Sequence, residues 1–175
     1  MADVFDEIRA SIARLSESTM NAKDIVQGSM GQALMIVAGV PIKLGNLVKY
    51  EAKDKNNASK HGILGCVSKG TKMNSVEGTY NAEIYFNSSA ILKYQNIFRH
   101  TGYAPPLAFY IANEDPTSAA GRNSGVYMGC TMEGCVTGIL DVDADALKQS
   151  IEGSYDDWIP IESFNDIPGV GVGLA

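Results

Sequence analysis

A mainly β fold, with some α content, follows from three features of this 175-residue chain: an antiparallel barrel or two-sheet sandwich carrying one inserted helix and preceded by an N-terminal helix. Alternation of apolar and polar residues with period two recurs along the chain; one internal segment carries a helical stripe bounded by a start and a stop signal; and glycines punctuate the remaining apolar runs. Many strands at short spacing favour a closed barrel or two stacked sheets, because either arrangement limits open edges. The length suits one domain with a modest appendage. The division predicted is a helix and arm over 1–26 and a single β domain over 27–175.

Val4, Ile8, Ile12 and Leu15 recur at helical spacing, with Glu7, Arg9 and Arg14 elsewhere on the wheel, which predicts a helix over 3–15. The polar run 16–24 reads as an arm. Leu34 to Val37 is a short apolar strand ending at a turn on Gly39, followed by a second over 40–44. From Leu47 the pattern alternates, with Leu47, Lys49, Glu51 and Lys53 on one face and Val48, Tyr50 and Ala52 on the other. It leads into a polar, basic loop, and His61 to Ser75 reads as its long continuation. Tyr80, Ala82, Ile84 and Phe86 then define the inner face of a half-buried strand.

Ser88 or Ser89 is placed to cap a helix whose stripe is Ile91, Tyr94 and Phe98, and Gly102 stands where a C-terminal cap belongs. Pro105 and Pro106 force an extended path into the apolar run 107–112. Residues 113–124 read as a surface loop by composition. Strands broken at Gly129, Gly134 and Gly138 are expected over 126–142, and alternation resumes over 147–153 before Trp158, Ile159 and Ile161.

Charge is distributed unevenly. Residues 141–175 hold eight acids against Lys148 alone, whereas residues 43–72 hold seven lysines against Glu51 and Asp54. Such runs are commonly solvated faces, but a basic end and an acidic end on one chain also suit head-to-tail association between copies. The net charge of −6 lacks the electrostatic term that dominates nucleic-acid affinity. The first ten residues carry Asp3, Asp6 and Glu7 in place of a basic, then apolar, secretory leader, and no apolar run reaches the length of a membrane helix. With Cys66, Cys130 and Cys135 outside any metal-ligand spacing, a reduced protein made inside the cell is expected.

Motifs for chemistry are weak. Asp141, Asp143, Asp145 and Glu152 fit four ligand positions of a calcium loop, but Ala146 replaces the required glycine, and an acidic turn capped by Asp143 is the better reading. A Cys66/His61 thiol site lacks an orienting third group. His100 lies in the last turn of the predicted helix, where a cation favours the dipole. No glycine cluster has the sequence of a phosphate loop. No enzyme activity, cofactor or metal is predicted.

The order of these features carries a likeness. The run Tyr80 to Phe86, the helix with Tyr94 and Gly102, the segment from Phe109 through Asp115, Pro116, Thr117 and Ser118 to Gly121 and Arg122, and Val126 to Gly129 together resemble the tail tube proteins of contractile-tailed phages and phage-derived bacteriocins. The likeness spans 33–164. It implies a barrel or sandwich with one flanking helix, six copies joined into a ring through their sheets, and rings stacked into a hollow tube through which DNA or ions pass without specific binding. It also implies a virion tail protein assembled in the host bacterial cytoplasm, with itself, a sheath, a baseplate and a tail terminator as partners and no stable membrane insertion. The loop matching Tyr50 to Thr71 becomes the ring-to-ring contact, with Lys53, Lys55, Lys60, His61 and Lys69 as its contact residues. The N-terminal helix and arm, 2–26, exceed what a compact tube subunit needs. Two rival readings come from other classes: a monomeric β-barrel binding a small molecule in a cavity lined by Tyr50, Tyr80, Phe86 or Phe109, and a thiol hydrolase using Cys66 and His61.

Overall fold

The structure, a computed structural model, describes residues 24–165 and 167. The helix expected over 3–15 lies outside the described residues, as does most of the 1–26 segment. The described chain divides into two compact units, one comprising residues 24–32, 111–125, 160–165 and 167, the other Ala33–Tyr110 with Val126–Ile159.

The described residues form antiparallel strands and one α-helix. Strands are β1 (Gln32–Val37), β2 (Val40–Lys43), β3 (Leu47–His61), β4 (Gly70–Tyr85), β5 (Leu107–Glu114), β6 (Arg122–Cys135), β7 (Lys148–Tyr155) and β8 (Asp157–Glu162), and the helix α1 is Ala90–Thr101. Their order in the sheet is β2-β1-β5-β6-β7-β4-β3, with β8 paired to β6. The mainly β reading holds, and the sheet is open rather than closed into a barrel: β2 and β3 are its outer strands among the described residues.

Each predicted element has a local cause. Ala38 and Gly39 both take positive φ, 49° and 82°, the backbone a two-residue hairpin needs between β1 and β2. Gly102, at φ 68°, ends α1 with its amide on the Phe98 carbonyl at 2.8 Å. At the other end Ser89 is the N-cap, through its carbonyl, which accepts from the Lys93 amide at 2.9 Å, and not through its side chain, while Ser88 Oγ accepts from the Ala90 amide at 3.4 Å. Ile91 and Tyr94 are buried, and Tyr94 donates to the Pro105 carbonyl at 3.0 Å, whereas Phe98 stays 45% exposed.

Two sequence expectations are corrected by pairing. The stretch 126–142 is not several broken strands: β6 runs unbroken to Cys135, bending at Gly129, φ 63°, and shifting register between Met132 and Gly134, and 136–147 carries no strand. The polar loop is not a loop either, because β3 and β4 stay paired out to His61↔Gly70. Alternating side chains that the unfolded sequence shows only as polar composition are ordered here by backbone hydrogen bonds. Asp141, rather than Asp143, makes the acidic turn, its carboxylate accepting from the Asp143 amide at 3.0 Å.

An aromatic series runs from the core of the larger unit to its surface, and six strands each give it one ring: Tyr50, Tyr80, Phe109, Tyr127, Tyr155 and Trp158, in strand order β3 to β8, of which Tyr80, Phe109 and Tyr155 are buried. Neighbouring centroids lie 5.0 to 6.4 Å apart, the spacing at which tilted and offset rings attract. Gly153 makes the arrangement possible. It pairs with Tyr80 on one side and Met132 on the other, and Tyr80 Oη reaches across to the Thr131 carbonyl at 3.0 Å. A Cβ at 153 would collide with that carbonyl and stand 3.0 Å from the Tyr80 ring.

In the smaller unit, residues 115–121 form the surface loop that composition indicates, while 113–114 end β5 and 122–124 begin β6, and the loop is braced from within. Asp115 is 2% exposed and organises its surroundings: Oδ1 accepts from the Thr117 hydroxyl at 2.6 Å and the Thr117 amide at 2.9 Å, and Oδ2 from the Gln27 amide at 2.9 Å. Ser118 Oγ donates to the Asp24 carbonyl at 3.2 Å. Arg122 bridges to Glu162 at 3.0 Å, and Ser124 donates to the same carboxylate at 2.8 Å.

Two expected outcomes follow from these contacts. Gly153→Ala lowers unfolding stability by about 3 kcal/mol, read by denaturant titration, since the clashing partner is backbone and the Tyr80 bond goes with it. The hydrogen bonds from Thr117 and Gln27 hold the Asp115 carboxyl below its ordinary value of 3.8. Its contribution is therefore complete above that value and lost as the pH falls through the depressed folded value. Asp115→Asn should flatten the acid limb of the stability profile, measured by unfolding between neutral pH and pH of about 2.

Candidate assembly interface

The β3–β4 hairpin continues well past its buried residues: no side chain of either strand beyond Thr79 is buried. Its inner third packs: Tyr80, Ala82 and Ile84 are at most 3% exposed. Beyond Thr79 every partner pair is held by the backbone ladder, with mostly exposed side chains. A register shift at Asn57/Ala58 makes Asn74 the extra residue, whose Nδ2 donates to Ser59 Oγ at 2.8 Å. The hairpin is thus an arm formed by residues 53–78.

One face of the arm is polar and internally paired. Lys49 and Lys53 both reach Glu51 at 2.6 Å, and Lys55 lies 3.9 Å from Glu77, which also accepts from Asn57 Nδ2 at 2.7 Å. The hydrogen bonds from Lys49 and Lys53 hold the Glu51 carboxyl down at about 2, and Glu51 in turn pushes the Lys49 amine up. All these groups are solvated, so the pairs set local geometry more than they stabilise the fold.

The tip differs. Lys60 and His61 end β3, and Lys69 sits in the turn 62–69, which is tightened by the Cys66 amide on the Ile63 carbonyl at 3.0 Å and by Gly65 at φ 82°. Lys60 and Lys69 form no ion pair among the described residues. His61 Nε2 and Ser59 Oγ lie 2.7 Å apart. The five basic residues predicted for a contact therefore fall into two groups, Lys53 and Lys55 neutralised along the arm, and Lys60, His61 and Lys69 together at its end. What charge reading missed is apolar: Leu64 and Val67 are fully exposed, and Met73 and Val76 are 70% and 62% exposed.

The arm is fixed at its base by Asp54, on the face opposite the lysine network. Its two oxygens accept from Tyr155 Oη at 2.6 Å and Trp158 Nε1 at 3.0 Å. Burial is the main cause pushing the Tyr155 phenol up, and the Asp54 carboxylate adds to it. Gly78 leaves room for the Tyr155 ring, which any Cβ there would strike.

The rival sites fare differently. Tyr50, Tyr80 and Phe109 fill space against one another, with centroids 5.0 to 6.2 Å apart, in a sheet that is open and not a closed barrel. Burial pushes the Cys130 thiol up to about 12 and raises that of Cys135 as well, which keeps both protonated; Cys66 is the exposed cysteine.

Removing the anchor is directly measurable, because Trp158 is the single tryptophan of the chain. Asp54→Ala should shift its emission and cost about 1–2 kcal/mol of unfolding stability, whereas Lys55→Ala should change neither.

The family described as phage tail tube protein matches residues 18–162. No curated protein matches the chain in sequence. Among solved structures, the chain is similar to one in the six-fold symmetrised baseplate of the anti-feeding prophage, with TM-score 0.63 and 14% identity, covering 82% of this chain and 97% of that one. It is also similar to a chain of the sheath–tube complex of the extracellular contractile injection system PVC in its extended state, with TM-score 0.58, 8% identity and coverage of 85% and 95%. A third likeness is to the SPP1 tail tube, with TM-score 0.56, 10% identity and coverage of 78% of each chain. At these identities the likenesses show the fold. The family match covers most of the chain, and with it the sheet, the inserted helix and the arm: the protein belongs to the phage tail tube family and is a structural subunit of a tail tube.

Proposed function

We propose that copies of this chain join edge to edge into a closed ring, six copies to a ring, and that rings stack into a hollow tube whose lumen passes DNA or ions. The observation that carries this reading is the open sheet. Strands β2 and β3 present outer edges, and an exposed edge is a template for pairing with another chain unless something covers it. A rotation that closes a ring satisfies every such edge with identical contacts. The arm supports the second step, because a ladder of exposed residues ending in bare aliphatic side chains gains from a neighbour's surface. The net charge of −6 suits a passage that must not retain a polyanion.

In this reading the 27–175 segment is the tube domain, and residues 1–26 are an additional arm. Lys53, Lys55, Lys60, His61 and Lys69 belong to the contact between rings. The role is architectural, without catalysis, cofactor or metal. Sheath, baseplate and terminator proteins are the expected partners in the tail, with assembly in the host bacterial cytoplasm. The six-fold symmetrised relative and the sheath–tube relative support the ring number and the sheath.

Concentrating the purified chain tests this directly. Negative-stain images should show annular rings and tubes, and native mass spectrometry should show a six-subunit species. A chain that stays monomeric at high concentration, with neither rings nor tubes, overturns the reading.

A further inference from the structure

The topology separates two exposed segments of opposite charge to the two ends of the same strands. The arm's turn lies beside Gly70, the first residue of β4; Tyr85, the last, pairs with Lys148 of β7. Residues 136–147 lead directly into Lys148 from Cys135, which pairs with Ile151. The segment 136–147 therefore hangs from the Tyr85 end of the sheet, and the turn from the Gly70 end. Fifteen residue steps of extended strand separate Gly70 from Tyr85, about 50 Å at 3.4 Å per residue.

Their chemistry is complementary in both charge and shape. Between Asn56 and Val76 there are Lys60, Lys69 and Lys72 and no acid; between Val136 and Leu147 there are Asp141, Asp143 and Asp145 and no base. Each segment also carries two aliphatic side chains standing almost wholly in solvent: Leu64 and Val67 at the turn, and Leu140 and Val142, 95% and 93% exposed, in the acidic segment. Isolated exposed aliphatics need no explanation, but two matched pairs, each embedded in three like charges of opposite sign, do.

We propose that the arm's tip seats on the 139–145 segment of a second copy, with Leu64 and Val67 against Leu140 and Val142 and the three lysines facing the three aspartates. The distance along β4 prevents the two segments from meeting within one copy, so the contact is head-to-tail and propagates along the strand direction. It rests on the stacking proposed above and names the surface that receives the arm. Apolar contact supplies the attraction, and the flanking charges set direction, since tip on tip and segment on segment both place like charges together. The rival acceptor is the apolar groove of about 420 Å³ lined by Tyr94, Phe98, Leu107, Cys130 and Met132. It offers no acid to the lysines.

Cys66 is exposed within the turn and serves as a native probe. In full-length chain carrying Cys135→Ser, a short bismaleimide is added to assembled tubes of Val142→Cys, Leu140→Cys or Phe98→Cys variants. The expected result is a ladder of linked subunits for the first two, abolished by Cys66→Ser. Imaged tubes that give no ladder, or a ladder from Phe98→Cys alone, overturn the pairing and leave the tube reading intact. Failure of the unaltered chain to assemble at all overturns both. In a second arm, Lys60→Glu with Lys69→Glu should raise the concentration needed for tubes about tenfold, and Asp143→Lys with Asp145→Lys should restore it. Unchanged far-ultraviolet dichroism verifies that each variant is folded, and a charge reversal that the second pair does not rescue counts against the proposal.

Discussion

Backbone pairing between β3 and β4 is the constraint on which the rest of the larger unit depends. From Leu47↔Ile84 to His61↔Gly70 the facing amides and carbonyls of the two strands pair with each other, and those on the outer edge of β3 face away from β4, so the chain can leave the core as a ribbon with one open edge. A two-stranded ribbon is marginal on its own in water. Here its root is held by Tyr80, Ala82 and Ile84 in the core and by Asp54 clamped between a phenol and an indole. Among the described residues the outer part has no such support, and its aliphatic side chains are exposed. That combination, a rigid root and an unsatisfied end, is what an assembly element requires.

The aromatic series explains how an open sheet stays ordered. Because six strands each contribute one ring, slipping any of them by one residue would move its ring to the opposite face and break contacts on both sides. Glycines at 78 and 153 are the counterpart: they stand where Tyr155 and Tyr80 lie across the neighbouring backbone. Register fixed this way holds the outer strands at a defined angle and height, which edge-to-edge joining between copies demands. A sheet with slack in its register would pair promiscuously at its margins. In the smaller unit a buried carboxylate does a comparable job, as Asp115 gathers amides from residues far apart in sequence.

Opposite charges on one chain acquire meaning only through placement. Along the arm, Lys49, Lys53 and Lys55 find carboxylates of their own copy, and that part of the basic run is spoken for. Among the described residues the tip lysines and the aspartates of 139–145 form no ion pair, and the strands keep them at opposite ends. Polarity along the strand direction is then a property of the subunit, and a polymer built from it inherits that direction.

Much of this was legible in the residues. Period-two alternation at Tyr80 to Ile84, the helix ending at Gly102, the hairpin at Gly39 and the unequal charge are local properties, and local physics decides them. The likeness to tail tube proteins rested on the order of such features. Tertiary structure alone decided the rest, because the missing information is about partners. Polar residues 54–61 read as a loop until a second strand supplied their hydrogen bonds. Asp115 read as part of a surface loop until the Gln27 amide from far along the chain reached its carboxylate, and the lysines formed one basic patch until carboxylates two residues away or across the ladder divided them. Composition specifies what a side chain can do; only the pairing of strands specifies which neighbours it has and which it leaves for another copy.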